Sequence, residues 1–225
     1  MATCYYEGEP YDCSFTDKFF YPIAESIDQS SLAVAIKNSV AIVPWAGSFH
    51  LLALAVLGGA IIFSDLRVLG IGLHSQSPQR LNRMMRPVII LSVIALIISG
   101  SLLALGEIMK LFYSPPYWVK MASMVSALLF TFGARDSVLR HNGVLKPLAM
   151  IFGALALILW LWVFIGLSSL LARVVFLMMM AALAGLVWWS GRKPDAMPLM
   201  ARCASAITIA LWMTTAVSGR WIAFW

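Results

Sequence analysis

The chain has 225 residues, 61% of them hydrophobic and 12% charged, with a net charge of +6. An ordinary soluble domain is roughly half apolar and a quarter charged, so that class is excluded, and the continuous apolar runs exclude the alternating pattern of an outer-membrane barrel. The basic residues lie in short loops between apolar runs, which reads as membrane topology and excludes a nucleic-acid footprint.

Residues 1–31 lack the basic start and short apolar core of a cleaved signal peptide. Glu7, Glu9, Asp12, Asp17, Glu25 and Asp28 are opposed there only by Lys18. Phe15, Phe19, Phe20, Ile23 and Ile27 recur near helical spacing, which predicts a short helix that lies in the membrane interface or covers a periplasmic or membrane protein partner. Cys4 and Cys13 can pair if this end faces an oxidising compartment, although their spacing does not decide it. Three cysteines make no disulfide framework, and no CxxC or CxxCH motif occurs. Cys203 reads as a small apolar packing residue.

Six runs are long enough to cross a hydrocarbon core of roughly 30 Å. The first covers about Ala41 to Phe63 and continues as a helix through Leu69. A basic loop with Arg80, Arg83 and Arg86 follows, and span two covers Pro87 to Glu107, with Pro87 in the first turn, where no helical amide is needed. A turn containing Tyr113, Pro115 and Pro116 leads to span three, Tyr117 to Ala134. Beyond the basic loop Arg135 to Lys146, spans four (Pro147 to Leu167) and five (Leu170 to Trp189) form an antiparallel pair. The loop Gly191 to Arg202, with Arg192, Lys193, Pro194 and Pro198, precedes span six, Cys203 to Trp225.

The expectation is therefore an all-α polytopic bundle, with residues 1–40 as an acidic periplasmic tail and 41–225 as a six-helix transmembrane domain. The loops after spans one, three and five hold ten Lys or Arg against Asp65, Asp136 and Asp195. The other side holds the acidic tail, Glu107 and six bases, so the positive loops stay inside and both termini lie outside. Trp45, Tyr113, Tyr117, Trp118, Trp221 and Trp225 then fall at the outer interface, and Trp188 and Trp189 at the inner one. Gly47, Gly58 and Gly59 in span one and Ser99 and Gly100 in span two read as packing positions that let backbones approach. Trp160 and Trp162 read as lipid-facing or core filler, and the run Met178, Met179 and Met180 as apolar filler, since consecutive helical residues point in different directions and cannot form one copper-binding face.

An ionisable residue inside a span is costly and marks a candidate site. His50 lies roughly 13 Å below the outer boundary of span one at 1.5 Å per residue. Glu107, Lys120 and Arg220 share that outer half. One reading has all three snorkelling to the interface while His50 hydrogen-bonds a neighbouring helix. The functional reading has His50 ligating a haem b iron or hydrogen-bonding a quinone, with Lys120 and Arg220 meeting anionic groups. His74 and His141 belong to inner loops, so a haem at His50 would take Met121 or Met124, a ligand from another chain, or no second ligand. At the inner end Asp65 and Arg67 are two residues apart and do not face each other, which predicts an interhelical latch of Asp65 with Arg86 or Arg135. No nucleophile elbow, phosphate loop or HExxH motif appears, and no catalytic activity of its own is expected.

At Phe49 to Gly72, FHLLALAVLGGAIIFSDLRVLGIG, the chain resembles an uncharacterised bacterial inner-membrane family, a domain-of-unknown-function group. That family's first span reads histidine, apolar run, Gly, then Asp-Leu-Arg-x-Leu-Gly. The likeness extends to PPYWVKM, Pro115 to Met121, and to SGRWIAF, Ser218 to Phe224, covering about half the chain. It implies a helical bundle with His50, Asp65, Arg67, Lys120 and Arg220 at the family's marked polar positions, and no assigned activity. The acidic tail and spans four and five depart from the pattern, as does Phe130-Thr131 where an aromatic-histidine pair is expected. A more distant likeness to copper-resistance protein D and b-type cytochrome bundles is architectural. Two functions follow as expectations: a membrane subunit of a redox or metal-handling assembly, within an oligomer or with a partner on residues 1–31, or a structural anchor without a cofactor. A transporter would need a polar path that the apolar middles of spans two and four do not offer.

Overall fold

The computed structural model describes residues 3–6, 9–12, 15–72, 75–141, 143–166, 170–193 and 196–224. Glu7, Cys13, His74, Leu167, Pro194, Asp195 and Trp225 lie outside the described residues, and with them the Cys4–Cys13 pairing. Among the described residues the fold is all-α apart from one antiparallel hairpin, β1 (Thr3–Tyr6) with β2 (Glu9–Asp12), in which Cys4 and Tyr11 are backbone register partners. Among the described residues six helices are long and apolar enough to cross a membrane, so this is an integral membrane protein in contact with the lipid bilayer.

The chain divides into two compact units, Met1–Leu52 with Ile94–Ser114, and Ala53–Val93 with Pro115–Trp225. Helices α3 (Ile42–Val68) and α4 (Pro78–Gly106) each contribute to both. In the first unit, α1 (Phe15–Asp28) covers the stretch whose apolar spacing predicts a helix. It packs on the short α5 (Ile108–Tyr113), with the Tyr21 and Phe112 rings edge to face at 6.3 Å. Ser30 caps α2 (Ser31–Lys37) by accepting from the Ala33 amide at 3.2 Å, satisfying one amide that the first turn leaves without a helical partner. Lys37 pairs with Asp28 at 2.5 Å.

In the second unit α6 (Pro115–Leu129) is the packing centre, flanked by α10 (Leu199–Trp221) and α8 (Pro147–Gly166). Lipid is as apolar as leucine, so close approach depends on small side chains. Ser123, Ser126 and Ala127 of α6 are buried, as are Ala201, Ala204, Ser205, Thr208 and Ala210 of α10. Two of these hydroxyls are satisfied by folding back one turn, Ser126 onto the Ala122 carbonyl at 2.8 Å and Thr208 onto that of Ala204 at 2.9 Å. Large apolar residues such as Leu91, Ile151, Leu161 and Leu177 point outward, where lipid is their solvent.

Several boundaries differ from expectation: span three continues as helix past Ala134 to Arg140, into the stretch expected to be loop, and the last span starts at Leu199, before Cys203. Helix α4 begins nine residues before Pro87, so the basic stretch Gln79 to Arg86 is helix and Pro87 lies inside it. Gln, Arg, Leu and Met are good helix formers, and Pro78 takes the first-turn position expected of Pro87. The predicted turn after span two contains α5, and Pro115 opens α6. The α3–α4 connection closes where Gly70 takes φ 73°, while the Ile71 amide reaches the Leu66 carbonyl at 2.8 Å and the Gly70 amide that of Arg67 at 3.0 Å. This is a Schellman end, for which glycine is suited. α9 (Leu170–Ser190) packs on α10.

Candidate functional sites in the membrane-spanning helices

In the first unit, His50 of α3 meets Ser99 of α4 with Nδ1 at 2.9 Å from Oγ. Gly100 makes room for it: a Cβ there would stand 3.2 Å from His50 Cε1. The single Ser99 proton goes to the Ala95 carbonyl at 2.6 Å, so Ser99 accepts from the ring and Nδ1 carries the hydrogen. That assignment places the imidazole lone pair on Nε2, the arrangement in which a histidine ligates a metal or accepts from a ligand hydroxyl. Ser99 also lines an open apolar groove with Trp45, Ala46, Phe49, Ile98 and Leu102. Glu107 stands at the start of α5, exposed, and pairs with Lys110 at 3.7 Å.

In the second unit a charged cluster lies among α3, α4 and the C-terminal part of span three, with Asp65, Arg135 and Asp136 buried and Arg86 and Arg140 reaching in from exposed positions. Arg135 is 1% exposed and Asp65 0%. Arg135 donates from Nε to Asp65 Oδ1 at 2.6 Å, from Nη1 to Asn82 Oδ1 at 2.6 Å and from Nη2 to Ser64 Oγ at 2.7 Å. Asn82 in turn donates to Asp136 Oδ1 at 3.2 Å. Asp136 also draws in Arg86 at 3.3 Å and Arg140 at 3.6 Å. Two carboxylates therefore face three guanidiniums, and Arg135 uses each of its three nitrogens. A buried charge is tolerated only on these terms, paired and hydrogen-bonded together.

Arg135 reaches this position through a π-helical stretch, Phe130–Arg135, whose closing amide, that of Asp136, bonds the Thr131 carbonyl. One wide turn changes the angular register between Thr131 and the helix that follows, α7 (Asp136–Arg140). Within it Thr131 accepts from the Trp212 indole of α10 at 3.1 Å. The position at which the resemblance expects a histidine is thus occupied by a buried threonine–tryptophan contact.

The remaining predicted residues fall separately. Lys120 lies along Gly219, where a Cβ would be 3.4 Å from its Cδ and Cε, and Arg220 stacks on the Phe224 ring at 4.8 Å. Met121 and Met124 are half-buried on α6. Arg67 donates to the Gln76 carbonyl at 2.7 Å and holds the α3–α4 connection. His141 contacts the Ser137 carbonyl through Nδ1 at 2.8 Å on an exposed surface. Among the described residues no group of three or more His, Cys, Asp or Glu side chains could hold a metal ion. Ser64, Asn82, Asp136 and Ser99 are the partners that sequence reasoning missed. A helix starting at Pro78 would have revealed Asn82 and Arg86, four residues apart on one face and both directed at Asp136.

The model of a family of unknown function, DUF6644, matches residues 29–168, more than half of the chain. No curated protein and no solved structure matches.

Proposed function

Because the chain belongs to the DUF6644 family, whose name carries no activity, we propose its function from the sites alone: it is an integral membrane subunit of a redox assembly in which His50 holds a quinone or a haem b. The observation that carries the reading is the 2.9 Å contact of His50 Nδ1 with Ser99 Oγ, whose own proton is directed at the Ala95 carbonyl; this supports Nε2 as the acceptor nitrogen of the ring. The groove that Ser99 lines, beside His50 and not lined by it, is open, apolar and edged by the Trp45 and Phe49 rings, which supports a quinone over a haem. A haem would be held here by His50 of this chain. When bound, either group supplies the electron transfer, and this chain orients it and excludes water. The membrane is a bacterial inner membrane with both termini outside, and the acidic residues 1–31 meet a partner there.

The purified protein tests this by optical spectrum and solvent extraction. A Soret band, or a co-purifying quinone, that is lost in His50→Ala and reduced in Ser99→Ala is expected. A colourless preparation free of quinone would sink the reading. A second reading, a cofactor-free structural anchor, draws support from the Arg135 cluster, which ties Ser64 and Asp65 of α3 to Asn82 of α4.

A further inference from the structure

A groove of about 590 Å³ runs between α9 and α10, with a charged end and an apolar length. At the charged end Arg192 stacks its guanidinium over the Trp188 ring at 3.6 Å, and Arg202 reaches across from the first turn of α10. Arg202 is held in place: Nε donates to the Met197 carbonyl at 2.9 Å and Nη1 to that of Val187 at 2.6 Å. Gly191 is required by this arrangement, because a Cβ there would run into the Arg202 guanidinium. Away from the arginines the wall is apolar, including Leu183, Ala184, Ala206 and Ile207. None of the described residues lining it is acidic.

We propose that this groove binds an anionic phospholipid, with the phosphate between Arg192 and Arg202 and one acyl chain laid along α9 and α10. Two guanidiniums beside an interfacial tryptophan match a phosphodiester at the headgroup level, and Arg is the cation whose fork fits phosphate oxygens. The apolar length matches a chain and not a free anion. A basic pocket between membrane helices is a recognised class of anionic-lipid site, and the basic loops around this one belong on the leaflet where such lipids concentrate. The occupant differs from any ligand of His50, and the proposal stands without it.

Native mass spectrometry of the full chain, released from detergent with phosphatidylglycerol or with phosphatidylcholine of identical chains, provides the test. Phosphatidylglycerol should be retained in preference, and Arg192→Gln should weaken that retention about fivefold, the effect of one basic residue at a charged membrane surface. Arg192 is exposed and makes no fold-closing bond among those described, so the variant should remain folded. Ala184→Phe, which fills the apolar length from an exposed position, should lower retention of phosphatidylglycerol with both arginines intact. Glycerol phosphate, which has the charge without the chains, should not displace the lipid. Equal retention of the two lipids, an unchanged preference in Arg192→Gln, or displacement by glycerol phosphate would each overturn the proposal.

Discussion

Arg135 is central to the second unit, because it is the largest side chain sealed from solvent among the described residues and carries a full charge. Removing one partner of a buried pair leaves the other uncompensated, at about 3 to 5 kcal/mol. Arg135→Met should therefore cost about that much, measured by thermal unfolding in detergent, since Asp65 would keep no cation. Asp65→Asn should cost less, because Asp136 still stands 3.7 Å from the guanidinium. The double variant Asp65→Leu with Arg135→Met should be more stable than Arg135→Met alone; equal or lower stability would mean that Asn82 and Ser64 carry the cluster. Asp65 was legible in the sequence as an acid in apolar company, and Arg135 as one of two candidate partners. Asn82 and Ser64 were not, because uncharged polar side chains show no cost in a sequence until a helix register places them indoors. At His50 the sequence showed the ionisable group, whereas the tautomer depends on where Ser99 sends its proton, which only the folded arrangement of α3 and α4 reveals.

At the level of elements, the π-helical turn illustrates a limit of periodicity. The run Phe130–Arg135 reads as continuous helix by composition, yet its extra residue per turn alters which faces Thr131 and Arg135 present. Packing by α8 accounts for part of the local sequence: a Cβ on Gly133 would lie 2.6 Å from Phe152 Cβ, and one on Gly153 3.2 Å from Ala134 Cβ. Gly133→Ala should destabilise the protein by about 1 to 3 kcal/mol through overpacking. Phe152→Ala should not rescue it, since the closest atom is the Cβ that alanine retains. A melting temperature unchanged by Gly133→Ala would mean that α8 can move away. Span positions were legible because some 20 apolar residues leave little choice. The start of α4 was not, because a basic stretch at a membrane edge is compatible with loop or helix, and Pro78 and Pro87 suit a first turn equally. The hairpin Thr3–Tyr6 with Glu9–Asp12 was equally hidden, its eight residues being too short and too polar for an alternating pattern.

For the whole molecule, the charge asymmetry makes a claim that packing cannot. Ten of sixteen Lys and Arg lie after spans one, three and five, and a lysine or arginine bias of that kind sets orientation in short loops. The basic end of the α9–α10 groove and the Arg86 and Arg140 side chains on Asp136 belong to the basic stretches that join those spans, so one orientation would place both on the same side of the membrane. Val40, 93% exposed ahead of α3, and Val144, 64% exposed between α7 and α8, report on the two sides. With Cys4, Cys13 and Cys203 replaced by serine, Val40→Cys should react with a membrane-impermeant maleimide in intact cells. Val144→Cys should react only after the membrane is opened. The reverse pattern would place the acidic tail inside, remove the outer partner from the proposed assembly and set His50 nearer the inner leaflet. Labelling of both from outside would instead require an odd number of crossings between residues 40 and 144 to become even, breaking the three-span count that α3, α4 and α6 make.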